Sequence, residues 1–147
     1  MTPRDGAAVR ERLERSLERW QEPGAAELCE ALEELVGSAA RPGEPLDLER
    51  LKPAVYRLKV GRAAGRTLVL KRHPPAVAQA DRMVVERWLP ALELGDGCPQ
   101  LLAAVAEREG SWVWHVYEDL GDDNLARERL PWRLDAAVDF MAELHAR

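Results

Sequence analysis

Val55-Tyr56-Arg57-Leu58-Lys59-Val60, then the turn Gly61 to Gly65, then Thr67-Leu68-Val69-Leu70-Lys71, is the stretch that decides the fold. The first run alternates apolar and basic residues with the period of two of a half-buried strand. The second is apolar with β-branched Thr67 and Val69, and a glycine-bounded turn joins the two, so the pair reads as a β-hairpin. A less regular run, Leu46–Leu51, reads as a strand before it, connected through Lys52-Pro53-Ala54. Arg50 to His73 also carries eight basic and no acidic residues in a chain of net charge −5. Such a block marks either an anion site or a solvated, arginine-rich hairpin.

Outward from the hairpin the period changes. Upstream, beyond the linker Arg41-Pro42-Gly43-Glu44-Pro45, Val9, Leu13, Leu17 and Trp20 recur at helical spacing and predict a helix over Ala7–Trp20. Pro23-Gly24 breaks it. A second helix is expected over 25–36, with Leu28, Ala31, Leu32, Leu35 and Val36 on its apolar side, and Gly37-Ser38 ends it. Downstream, Pro74-Pro75 stops the hairpin and can open a helix, which the apolar spacing extends over Val77–Leu89. Leu101–Val105 and Trp112–Tyr117 read as strands around Glu109-Gly110-Ser111. A short helix is expected after Gly121-Asp122-Asp123, and Leu134, Ala137, Met141 and Leu144 predict a last helix over Leu134–His145. Strands joined by short connections with few crossovers predict an α+β fold with a mostly antiparallel sheet of about five strands.

The 147 residues suit one globular domain. No apolar run approaches the ~20 residues of a membrane span, and Met1 to Gly6 lacks the apolar core of a signal peptide. Cys29 and Cys98 are too few for a disulfide framework, so a cytoplasmic location is expected. The three histidines, His73, His115 and His145, are dispersed, and no metal cluster is expected from them. The basic block lacks interleaved aromatics and sits in an acidic chain, so nucleic acid is not an expected partner, and without an apolar span neither is a membrane.

Lys71 ends an apolar strand, where a projecting ammonium is costly unless an anion meets it. Fifteen residues later Glu86 lies among the apolar residues of the predicted helix. A lysine held by a helix glutamate is how kinases grip the α- and β-phosphates of ATP. Two alternatives stand beside that pairing: Glu86 can pair with Arg82 one turn back, and Asp81 can compete for Lys71.

Taken in order, Val55-Tyr56-Arg57-Leu58, Leu68-Val69-Leu70-Lys71-Arg72, Glu86-Arg87-Trp88-Leu89-Pro90, Tyr117-Glu118-Asp119-Leu120-Gly121 and Ala142-Glu143-Leu144-His145 resemble the N-terminal half of the aminoglycoside phosphotransferase and choline-kinase-like family, over about residues 46–147. The resemblance implies a protein-kinase-like N-lobe at 46–117, a hinge at 118–123 and the start of a truncated C-lobe at 124–147, preceded by a helical layer at 1–40. It implies that Lys71 is the phosphate-gripping lysine, Glu86 its partner, and Tyr117 the gatekeeper at the back of the adenine pocket. Glu118, Asp119 and Leu120 would then form the hinge against the adenine edge, and Leu51, Val60 and Val69 the apolar walls. The implied function is the ATP-binding part of a small-molecule phosphotransferase acting on an aminoglycoside, another small alcohol or a saccharide; the alternative is a non-catalytic, pseudokinase-like binding or interaction module.

Two departures accompany the resemblance. Lys52-Pro53-Ala54 offers no glycine where a kinase places its phosphate-covering loop. No His-x-Asp catalytic loop is present, and the ligands of Mg²⁺ would lie beyond Arg147, so this chain alone is expected to be inactive as a kinase, with apolar surface left on its last helix.

Overall fold

The computed structural model describes residues 11, 13–17, 21–36, 45–61, 65–93, 98–121 and 131–146. Its centre is a sheet of five strands: β1 (Leu46–Lys52), β2 (Val55–Val60), β3 (Arg66–His73), β4 (Leu101–Ala106) and β5 (Val113–Glu118). They lie in the order β1-β2-β3-β5-β4, and every neighbouring pair is antiparallel. The α+β class and the five-stranded antiparallel sheet expected from the sequence are therefore present, including the strand at Leu46. Lys52 pairs with Val55, which leaves a turn of only Pro53-Ala54 between β1 and β2. Ala54 takes a left-handed φ of 59° there, and its carbonyl accepts the Arg72 amide at 2.9 Å.

Period two gives the sheet two unlike faces. On one, Tyr56, Leu58, Val60, Leu68, Leu70, Trp114 and Val116 join Leu28, Cys29, Leu32 and Val36 of helix α1 (Ala25–Val36), together with Leu13 and Leu17, in one buried cluster. Residues 13–17 are helical, as the apolar spacing predicts; Val9 and Trp20 lie outside the described residues. The break at Pro23-Gly24 is built into this contact. The Pro23 carbonyl accepts the Trp114 indole N–H at 2.8 Å, and Gly24 holds φ +71°, where an added Cβ would stand 3.2 Å from both the Trp114 indole nitrogen and the Glu107 Cβ. A side chain there would meet both conformational strain and a close neighbour. Beside it, the Glu22 carboxylate accepts the Tyr56 hydroxyl and pairs with Arg72 at 2.6 Å, tying the residue just before the break to β2 and β3. Burial, then that carboxylate, pushes the Tyr56 phenol up to about 12.

The opposite face meets helix α2, which starts at Pro75, runs as an α-helix to Met83, widens into a π turn over Val84–Trp88 and closes with Leu89–Ala91. Pro90 accounts for the widening. It has no amide to donate, and in an uninterrupted α-helix its ring would crowd the carbonyl of residue 86. The Leu89 amide instead reaches the Val84 carbonyl, five residues back. Ala78 is buried on the α2 face that packs across β3 and β5. Helix α3 (Pro131–Ala146) begins three residues before the apolar spacing indicates, with Pro131 in its first turn. Trp132, Val138, Phe140 and Met141 are exposed on it, whereas the side chains of Leu134, Ala137 and Leu144 lie outside the described residues. So does the short helix expected after Asp123. No helix among the described residues is long and apolar enough to cross a membrane.

Candidate functional site

The α2 face of the sheet groups Arg57, Lys71, His73, His115 and Tyr117. Cross-strand register sets Arg57 opposite Val69, Val69 opposite Tyr117, and Lys71 opposite His115. Because antiparallel partners share a face, these side chains form one continuous surface. A cavity of about 220 Å³ opens on it, lined by Arg57, Val69, Lys71, Pro99, Tyr117 and the run Glu118-Asp119-Leu120-Gly121. That is below the roughly 300–1,000 Å³ of most small-molecule sites and suits a flat ring, with any larger attached group lying outside the cavity.

Six of the seven residues singled out for nucleotide binding, Val69, Lys71, Tyr117, Glu118, Asp119 and Leu120, therefore stand around one cavity. Glu86 does not. It pairs with Arg82 at 2.8 Å on the exposed side of α2 and lines a separate groove of about 620 Å³ between the end of α2 and the start of β4. The expected Lys71–Glu86 pair is absent, and the surface alternative is the one formed. The reason is helical geometry: Ala78 and Asp81, three apart, share the sheet-facing side of α2, whereas Glu86, five positions further on and inside the π turn, lies on another side and opens onto the groove with Val85. Among the described residues Lys71 has no carboxylate partner; its ammonium lies 4.8 Å from the Tyr117 ring centroid, a cation–π contact. Two of the three expected wall residues lie away from the cavity. Val60 faces the buried cluster under α1 on the opposite side of the sheet, and Leu51 is 40% exposed on β1; only Val69 reaches the cavity.

Asp81 is the carboxylate that α2 directs at the sheet. Its Oδ2 accepts the Tyr117 hydroxyl, lies 3.1 Å from His115 Nδ1 and stands 3.8 Å from His73 Nε2. His115 Nδ1 is also 3.1 Å from the Tyr117 hydroxyl oxygen, and the two imidazoles meet edge-on at 5.4 Å between centroids. Burial pushes the Asp81 carboxyl up, but the hydrogen bonds from Tyr117 and His115 and the neighbouring imidazoles outweigh it and hold the carboxyl below its ordinary range. Burial pushes the Tyr117 phenol well above its usual value, and the Asp81 bond and charge add to that. His73 is pushed down by burial, reinforced by His115 and Lys71 and opposed by Asp81.

At the other end of the cavity, Arg57 Nε and Asp119 Oδ2 form a 2.8 Å ion pair, with side chains 10% and 7% exposed. Asp119 also accepts the Gly121 amide at 2.9 Å, and the Glu118 amide donates to the Gln100 carbonyl at 3.0 Å, so the 118–121 run is fixed at several points. Arg57, His73 and His115 are the site residues that sequence reasoning missed. Part of the signal was available: His73 is Lys71 plus two and His115 is Tyr117 minus two, so strand period puts each on the face of a predicted site residue, whereas bringing Arg57 and the separate strands together takes the cross-strand register.

Compared with protein-family models, with curated proteins and with solved structures, the chain matches none.

Proposed function

We propose that the chain binds an adenine nucleotide, ATP, at the Lys71 cavity, as the nucleotide-binding part of a small-molecule phosphotransferase of the kinase-like type that its sequence resembles. The observation that carries this is the convergence of Val69, Lys71, Tyr117 and Glu118 to Leu120 on one cavity at the end of β5. The apolar Val69 and the backbone of the 118–121 run suit a flat heteroaromatic ring. Lys71, with no carboxylate to neutralise it among the described residues, suits a phosphate. At this cavity Asp119 is engaged with Arg57 and Glu118 is exposed, so the pair of free carboxylates that a Mg²⁺ bridge between phosphates needs is not formed among the described residues. These residues bind and orient; no transfer step falls to them.

A second reading, a non-catalytic binding module, is favoured by the Pro53-Ala54 turn, which is too short and too substituted to cover phosphates. Calorimetric titration with ATP and with adenosine, on the wild-type chain and on Lys71→Met, separates the possibilities. Binding of both ligands, with ATP alone weakened about 10-fold or more by the substitution, is the expected result, since a charge-assisted contact contributes about 1.5–3 kcal/mol. Absence of binding by either ligand contradicts the nucleotide reading.

A further inference from the structure

We propose that His73, Asp81 and His115 form a binding site for one divalent transition-metal ion of the zinc class, which fastens helix α2 to strands β3 and β5. The three residues come from three elements, β3, α2 and β5, and their ligand atoms lie within 4.8 Å of one another. Two imidazoles and a carboxylate are a donor set that zinc accepts, with a fourth position left open. At metal–ligand distances of about 2.1 Å, tetrahedral ligand atoms stand roughly 3.4 Å apart. The separations of 3.1 Å and 3.8 Å from Asp81 Oδ2 to the two histidine nitrogens bracket that value. The two imidazole nitrogens lie within 4.8 Å of each other, and rotation of the rings about their side-chain bonds is the movement that binding would require of them.

A purely structural hydrogen-bond network accounts for Asp81, His115 and Tyr117 but leaves one atom over. His73 Nε2 is buried and has no hydrogen-bond partner among the described residues, although it lies 3.8 Å from the same carboxylate oxygen that the other two groups meet. A buried polar atom without a partner is costly, and a cation held among the three satisfies it. Tyr117, hydrogen-bonded to Asp81, is placed as the outer-sphere group that orients the carboxylate. Lys71 lies opposite His115 and adds positive charge nearby, but its ammonium sits against the Tyr117 ring. Asp81 contributes the compensating negative charge. The inference is independent of nucleotide binding.

The test uses the full chain, stripped with a chelator and titrated with Zn²⁺ by calorimetry and with Co²⁺ by visible absorption. The expected result is one ion per chain, with the intense d–d bands of tetrahedral Co²⁺ and no thiolate charge-transfer band. His73→Gln and Asp81→Asn should each weaken binding by roughly 100-fold, since loss of groups that only orient ligands already costs about 10–100-fold. Cys98→Ser and His145→Gln should leave it unchanged. Imidazole ¹⁵N shifts of His73 and His115 in the wild-type chain decide the matter even if a variant fails to fold: both move on Zn²⁺ addition. No saturable binding, binding unaltered by His73→Gln, loss of binding on Cys98→Ser, or unmoved imidazole shifts overturns the proposal.

Discussion

The two faces of the sheet use the same strands for opposite ends. On the α1 face, Tyr56, Leu58, Leu68, Leu70, Trp114 and Val116 are almost wholly withdrawn from water and meet apolar residues, with polar contacts such as those of Glu22 and of Arg66 with the Leu35 carbonyl at the margins. One residue along each strand, the α2 face presents Arg57, Val69, Lys71, His73, His115 and Tyr117, and Asp81 and Asp119 face them. The first face stabilises by removing apolar surface from water, a non-directional effect proportional to area. The second holds charged groups at fixed distances, an arrangement that contributes little net stability but sets up chemistry. Alternation lets a single hairpin serve both without compromise at any one position.

That contrast predicts a ranking of substitutions. Trp114→Ala on the α1 face, which removes the largest buried side chain and its bond to Pro23, should cost about 3–5 kcal/mol in urea denaturation, the range for large-to-small aromatic changes in a core. Arg57→Ala on the α2 face should cost about 3 kcal/mol because it strands Asp119, yet the double variant Arg57→Met/Asp119→Leu should recover most of the loss, since a buried ion pair can be exchanged for apolar packing. No such rescue is expected of Trp114, and recovery there would erase the distinction between the faces. Glu22→Gln, at the polar corner of the α1 face, should cost about 1.5–3 kcal/mol through the weakened bonds to Arg72 and Tyr56. Glu86→Ala should change stability by no more than about 0.5 kcal/mol, the scale of an exposed pair one helical turn apart. It should also leave nucleotide affinity untouched; a large loss of affinity would restore Glu86 to the site.

The sequence made the local elements legible and left their assembly open. The hairpin, the helices near residues 25–36 and 77–89, and the two later strands follow from period and from proline and glycine punctuation, because those signals are local. The strand order, with β5 inserted between β3 and β4, depends on contacts distant in the chain. Helical phase keeps Glu86 from Lys71: Asp81 and Glu86 both sit on α2, and the packing of Ala78 against the sheet goes with Asp81 as the one facing inward. Val60 was misplaced for the matching reason in a strand, since a shift of one position exchanges faces. The convergence of His73, Asp81 and His115 needed three elements at once, and no spacing along the chain records it.

The most direct test of the claim that binding belongs to the α2 face is a ¹H–¹⁵N spectrum of the uniformly labelled chain titrated with ATP. The account predicts saturable shifts at the amides of Val69, Lys71 and Tyr117 to Gly121, with Leu28 to Val36 of α1 left in place. An unchanged spectrum, or shifts centred on α1, would contradict it.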